Sequence, residues 1–183
     1  MGFSIEGKTA IITGAANGVG LAIARHFADK GANVMFADMD EAKLAHECGE
    51  RPEDGNMRYF AGDLRERLTM ANLVSATLDS FDRVDILING SRQMMTSDPL
   101  DLDDTSVEQM LTQNVMTALR MTQLVSKRMI KQAAERDEGQ VGAIVNLSSI
   151  AARRTHPSLL GLSLIHISEP TRQNCQSRMP SYA

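Results

Sequence analysis

The sequence predicts an α/β domain, doubly wound around a parallel sheet, and three observations carry that expectation. Short apolar runs alternate with helix-period segments along residues 8–149. The runs end on or beside small polar positions: Gly14, Asp38, Asp63, Asn89 and Ser149. A glycine-rich bend, Thr13-Gly14-Ala15-Ala16-Asn17-Gly18-Val19-Gly20, joins the first run to the first helical segment. Strands that alternate with helices imply parallel β-α units. In such sheets ligands bind beyond the carboxyl ends of the strands, where these polar positions fall.

Composition bounds the function classes. The 183 residues suit one domain, and 43% hydrophobic residues supply an ordinary core. A net charge of -4 argues against a nucleic-acid face. No apolar run approaches the roughly 20 residues of a membrane span, and the first residues lack signal-peptide regions. Cys48 and Cys175 are too few for a disulfide framework, so a reducing cytoplasm is expected. His26, His46, His156 and His166 show no metal-ligand spacing, and no metal site is expected.

Taken in order, residues 8–13 read as a buried strand. Residues 18–30 read as a helix with Val19, Ile23 and Phe27 on one face, closed by Gly31. A second strand, 33–37, ends at Asp38, and a polar helix covers 41–50. Arg51-Pro52-Glu53-Asp54-Gly55 is a turn cluster. A third strand, 57–61, ends near Asp63, a helix follows over 65–80, and a fourth strand, 84–88, ends at Asn89. After a polar loop, Thr105-Ser106-Val107-Glu108 has the form of a capping box. It opens one long helix through about residue 134, with Val107, Met110, Leu111, Ala118, Met121, Val125 and Met129 on its buried side as core filler. A fifth strand, 142–147, ends at Ser148-Ser149.

The bend carries the chemistry. Three glycines turn the backbone tightly and leave no side chains above it, so a pyrophosphate can lie on bare N–H groups at the positive end of a helix. An acid at the end of the next strand, Asp38, completes the dinucleotide-binding fingerprint.

These residues resemble the short-chain dehydrogenase/reductase family. The marks are residues 13–20 in the TGxxxGxG pattern, Asp38, Asp63-Leu64, Asn89, Asn114 and Ile144-Val145-Asn146-Leu147-Ser148-Ser149, over residues 2–161. The resemblance implies a Rossmann fold, C-terminally truncated, with about five of the family's seven strands. It implies an oxidoreductase that moves a hydride between NAD(H) and a small-molecule alcohol or carbonyl substrate. Gly14, Asn17, Gly18, Val19 and Gly20 then form the phosphate turn. Asp38 takes both adenosine ribose hydroxyls and repels a 2′-phosphate, which favours NAD over NADP. Asp63 and Leu64 flank the adenine, and Asn89 lines the cleft near the nicotinamide ribose. The backbone of Asn114 anchors a water in a proton relay, and Ser149 holds the substrate oxygen as charge develops. The whole enzyme is expected to be a homo-oligomer paired through the long helix and its successor. Structural roles compete with each assignment: a satisfied amide for Asn114, strand-end polar residues for the others. A non-catalytic dinucleotide-binding module or regulator is the alternative function.

Two departures qualify the resemblance. Where the family usually has Asn-Asn-Ala-Gly after the fourth strand, this chain has Asn89-Gly90-Ser91-Arg92. Arg92 either crowds the cleft or reaches toward a charged ligand. The family also places a tyrosine about thirteen residues beyond the serine and a lysine four further on, where this chain has Leu162 and His166. Residues 162–172, Leu-Ser-Leu-Ile-His-Ile-Ser-Glu-Pro-Thr-Arg, resemble the in-frame translation of a transposase-type sequencing adapter. Residues 1–161 are therefore expected to be an incomplete NAD-binding domain, and residues 162–183 a non-native, disordered tail without catalytic capacity.

Overall fold

The structure, a computed structural model, describes residues 4–49, 55–98, 100–136 and 142–149. The turn cluster at 51–54 and everything from Ile150 onward, including Leu162, His166 and the adapter-like segment, lie outside the described residues.

Five parallel strands form one sheet in the order β3-β2-β1-β4-β5: β1 Thr9–Thr13, β2 Asn33–Asp38, β3 Met57–Ala61, β4 Ile86–Asn89 and β5 Ala143–Asn146. The helices are α1 Gly18–Asp29, α2 Glu41–Cys48, α3 Arg67–Phe81, α4 Ser106–Met110 and α5 Thr117–Arg136. The chain moves outward from β1 to β3, then returns to the other side of β1 as β4. That reversal between β1 and β4 is the topological switch point, where such sheets open a crevice.

Side chains alternate across the sheet because strand periodicity is two. Ile11, Met35 and Leu87 face one side and are buried against Met70 and Leu73 of α3 and Met121, Val125 and Met129 of α5. Ala10, Ile12, Val34, Phe36, Ile86 and Ile88 face the other, buried with Ala24 of α1 and Leu44 of α2. Two covered faces explain why the strands read as continuous apolar runs.

Three expectations about helices are corrected. Val19 is 60% exposed, and the buried face of α1 is formed by Gly20 and Ala24, with Ile23 and Phe27 partly buried. The helix must come so close to the sheet that only small residues fit beneath it. The long helix is also not continuous. A π-helical segment, Leu111–Met116, separates α4 from α5, and the Thr117 N–H reaches back five residues to the Thr112 carbonyl. The Thr117 hydroxyl donates to the same carbonyl at 3.0 Å. Leu111 is consequently 40% exposed, and Gln113 is buried. Nor does Thr105 cap the helix, because its hydroxyl accepts from Gln109 Nε2 at 2.9 Å. Asp104 stands in, accepting the N–H groups of Ser106 at 2.7 Å and Asp98 at 2.6 Å.

The amino end of β4 is held by amide and carboxylate clamps. Gln132, buried on α5, accepts from Val84 N–H at 3.1 Å and donates to its carbonyl at 3.3 Å. Asp85 accepts from Thr9 N–H at 2.9 Å and pairs with Arg83. Removing the Gln132 amide leaves two buried backbone groups without partners, each an unfavourable desolvation. Gln132→Ala is expected to destabilise the fold by about 2–3 kcal/mol in urea denaturation. A loss under about 0.5 kcal/mol, the scale of a surface change, would contradict this role.

Candidate functional site

The crevice at the switch point is a cleft of about 710 Å³, within the size range of cofactor sites. Its floor is the glycine bend. Gly14 has φ +72, and a Cβ there would lie 2.6 Å from the Gly90 carbonyl oxygen. A Cβ on Gly20 would lie 2.2 Å from the Gly14 carbonyl oxygen, far inside contact distance. Glycine at these positions is therefore a packing requirement that brings bare backbone to the cleft. Gly18, Val19 and Gly20 open α1 there. The Asn17 side chain makes no cap bond and the first turn holds no acid. The N–H groups of that turn lack intrahelical acceptors and sit at the positive end of the helix dipole.

Asp38 closes one side of this cradle. One carboxylate oxygen accepts from Ala16 N–H at 3.1 Å. The other accepts from Met39 N–H at 2.7 Å and Asp40 N–H at 3.2 Å. A carboxylate has about four lone-pair sites, so three N–H bonds fix its orientation and leave capacity for a ligand hydroxyl. Gly62 N–H binds the Asp38 carbonyl at 2.9 Å, which brings Gly62, Leu64 and Arg65 to the same wall.

The opposite wall is the loop after β4, pinned from three sides. Thr13 Oγ1 accepts from the N–H groups of Gly90 and Ser91, both at 3.1 Å. Gln113 Nε2 donates to Ser91 Oγ at 2.8 Å. Asn114 grips Gln93 at both ends, accepting its N–H at 2.7 Å and donating to its carbonyl at 2.9 Å. The π-helical segment thus offers two successive amides to one loop, and such bulges are frequent at functional sites. Asn89 donates to Asn146 Oδ1 at 2.8 Å and Thr122 Oγ1 at 3.1 Å, tying β4 to β5 and α5.

Gly14, Asn17, Gly18, Val19, Gly20, Asp38, Leu64, Asn89, Asn114 and Ser149 all line this one cleft. Asp63 is not among the lining residues. Its carboxylate is engaged by Arg65, at 2.6 Å from Nη2 and 2.9 Å from the backbone N–H. The Asn114 side chain is engaged by the Gln93 backbone. Met39, Arg65, Ser91, Gln93 and Gln113 also line the cleft and were not singled out from sequence. Only the polar character of the 91–104 loop hinted at Ser91 and Gln93. Among the described residues, the charged side chains lining the cleft are Asp38, Arg65 and Arg92.

The comparisons with known proteins agree with this geometry. Residues 8–160 match the family model described as short chain dehydrogenase. The chain belongs to the short-chain dehydrogenase family. Among curated relatives, it is 35% identical over 156 residues to a D-threitol dehydrogenase of Mycolicibacterium smegmatis, covering 82% of this chain and 55% of the relative. It is 29% identical over 153 residues to a diacetyl reductase [(S)-acetoin forming] of Staphylococcus epidermidis, covering 83% and 57%. A 3-ketoacyl-(acyl-carrier-protein) reductase from Brucella melitensis, solved in complex with NADH, superposes with a TM-score of 0.79 at 30% identity, covering 89% of this chain and 66% of that one. The chain spans about half the length of the curated relatives it matches. Among the described residues no helix is long and apolar enough to cross a membrane, and no His, Cys, Asp and Glu side chains group as metal ligands.

The side-chain hydrogen bonds from Arg65, then its backbone N–H, hold the Asp63 carboxyl below its ordinary value of 3.8. The contribution of a depressed carboxylate is present above its unfolded pKa and is lost as pH falls through the folded one. Asp63 is therefore expected to titrate below 3.8 by carboxyl-carbon NMR and to move back toward it in Arg65→Gln. An unchanged titration in that variant would contradict the pairing.

Proposed function

We propose that this chain binds a nicotinamide dinucleotide, NAD in preference to NADP, as the nucleotide-binding part of an oxidoreductase acting on a small alcohol or carbonyl compound. The observation that carries the proposal is the Asp38 carboxylate held over an uncapped glycine bend. The residues fit the group. Gly14, Asn17, Gly18, Val19 and Gly20 would hold the diphosphate, Asp38 the adenosine ribose, Leu64 the adenine and Asn89 the nicotinamide-ribose end. Asp63 would act on the adenine side through Arg65, orienting it. When bound, the cofactor supplies a hydride donor or acceptor at its nicotinamide carbon.

The preference for NAD follows from charge. A 2′-phosphate beside Asp38 would face a carboxylate, and the neighbouring Arg65 guanidinium is already neutralised by Asp63. Ser149, at the carboxyl end of β5, would hold the substrate oxygen, and Asn114 would contribute its backbone to a proton path. The whole enzyme would form a homo-oligomer in a reducing cytoplasm, consistent with two cysteines in 183 residues. Residues 1–161 would form the binding domain and 162–183 a non-native tail.

A second reading is nucleotide binding without turnover. Leu162 and His166 at the family's tyrosine and lysine positions support it for this chain. The 183-residue protein is therefore expected to bind NADH more tightly than NADPH, by fluorescence titration, while reducing no member of a carbonyl panel. Asp38→Ala should weaken NADH about tenfold or more, the scale of hydrogen bonds to a charged group, and narrow the gap to NADPH. Equal affinities for the two cofactors in the unaltered protein would sink the NAD assignment. Family-scale turnover would sink the second reading.

A further inference from the structure

The loop after β4 does more than wall the cleft. Its backbone is fixed on both sides of Arg92: Ser91 by Thr13 and Gln113, Gln93 by Asn114. Clamps that hold residues 91 and 93 determine where the residue between them starts. Arg92 lines the cleft and makes no hydrogen bond or ion pair with the described residues. Its guanidinium is a cation with five donors in a fork suited to phosphate oxygens.

The same loop lies against the phosphate turn. The Gly90 carbonyl oxygen and the Ser91 nitrogen stand 2.6 Å and 2.8 Å from the point a Gly14 Cβ would occupy. Arg92 therefore leaves the backbone one residue from atoms that touch the bend. The charges along the cleft are unevenly disposed. Asp38 is the anion of the adenosine end, and Arg65 is committed to Asp63. The bend itself offers N–H dipoles but no full charge, and the first turn of α1 holds no basic side chain. A doubly negative diphosphate seated there has one uncommitted cation within the described lining, and that cation is Arg92.

We infer that Arg92 is a diphosphate-binding residue, a cation that closes over the dinucleotide from the β4 loop opposite the glycine bend. This rests on the nucleotide-binding reading above and adds a residue and a charge to it. An arginine that merely extended into solvent would need no clamps on both neighbours. One that recognised an anionic substrate instead would leave nucleotide affinity untouched.

The test compares the 183-residue protein with Arg92→Gln, Arg92→Gly and Arg92→Lys by isothermal titration calorimetry against NADH, ADP-ribose and adenosine. Because Arg92 is exposed and has no partner among the described residues, near-UV circular dichroism of the variants should overlay the parent. The expected result is a loss of about tenfold for ADP-ribose and NADH in the glutamine and glycine variants, partial recovery with lysine, and adenosine binding unchanged. The salt dependence of ADP-ribose binding should flatten in the same two variants. Parent and variants binding ADP-ribose within twofold would overturn the inference and leave the nucleotide reading standing. Equal losses for adenosine and ADP-ribose would overturn it too, as a general change in the cleft. A parent protein that binds none of the three ligands would overturn both.

Discussion

The site depends on backbone meeting backbone where β1 turns into α1. Gly14, Gly20 and Gly90 approach so closely that a single methyl on any of them would fall within 2.7 Å of a carbonyl oxygen. That contact seats the helix N-terminus directly over the end of the sheet. It also places the loop after β4 against the bend, so one steric constraint builds two walls of the cleft. Overpacking of this kind typically destabilises a core by about 1–3 kcal/mol, and here it would also displace the bend at the floor of the cleft. Stability and ligand geometry are thus set by the same atoms.

The second layer of organisation is polar and indirect. Side-chain amides and hydroxyls do work that regular secondary structure leaves undone. Thr13, Gln113 and Asn114 hold a non-repetitive loop, Gln132 holds the entry to β4, and Asn89 joins β4 to β5. Each satisfies backbone or side-chain groups that would otherwise be desolvated without a partner. The π-helical turn belongs to this layer: it carries Gln113 and Asn114 as neighbours, both directed at the 91–93 loop.

Much of this was legible in the sequence, for physical reasons. Strands covered on both faces announce themselves as apolar runs, and β1, β2 and β4 do so. A bend with no room for a Cβ at Gly14 and Gly20 leaves its glycines visible, and the acid that ends β2 is read by position. What escaped is what local periodicity does not encode. Residues 105–134 look like one helix because the stripe of Met110, Met121, Val125 and Met129 spans the π turn. Val19 looks like a core residue by spacing, yet close helix–sheet approach at Gly20 and Ala24 turns it outward. Asp63 is read as a ligand residue by position, but its bond to Arg65, two positions on, is not visible in the sequence. For Arg92 the sequence left two readings, crowding the cleft or reaching toward a charged ligand; the clamps on its neighbours come from Thr13, Gln113 and Asn114, far along the chain, and are not visible in it.

The central claim is that an uncapped helix start and an oriented carboxylate together form an adenosine-diphosphate seat. A crystal structure of the protein soaked with ADP-ribose tests it most directly. The account predicts diphosphate density on the N–H groups of residues 18–20, with the adenosine ribose hydroxyls on Asp38. Density for the nucleotide away from that turn, or a ribose that leaves Asp38 untouched, would contradict it.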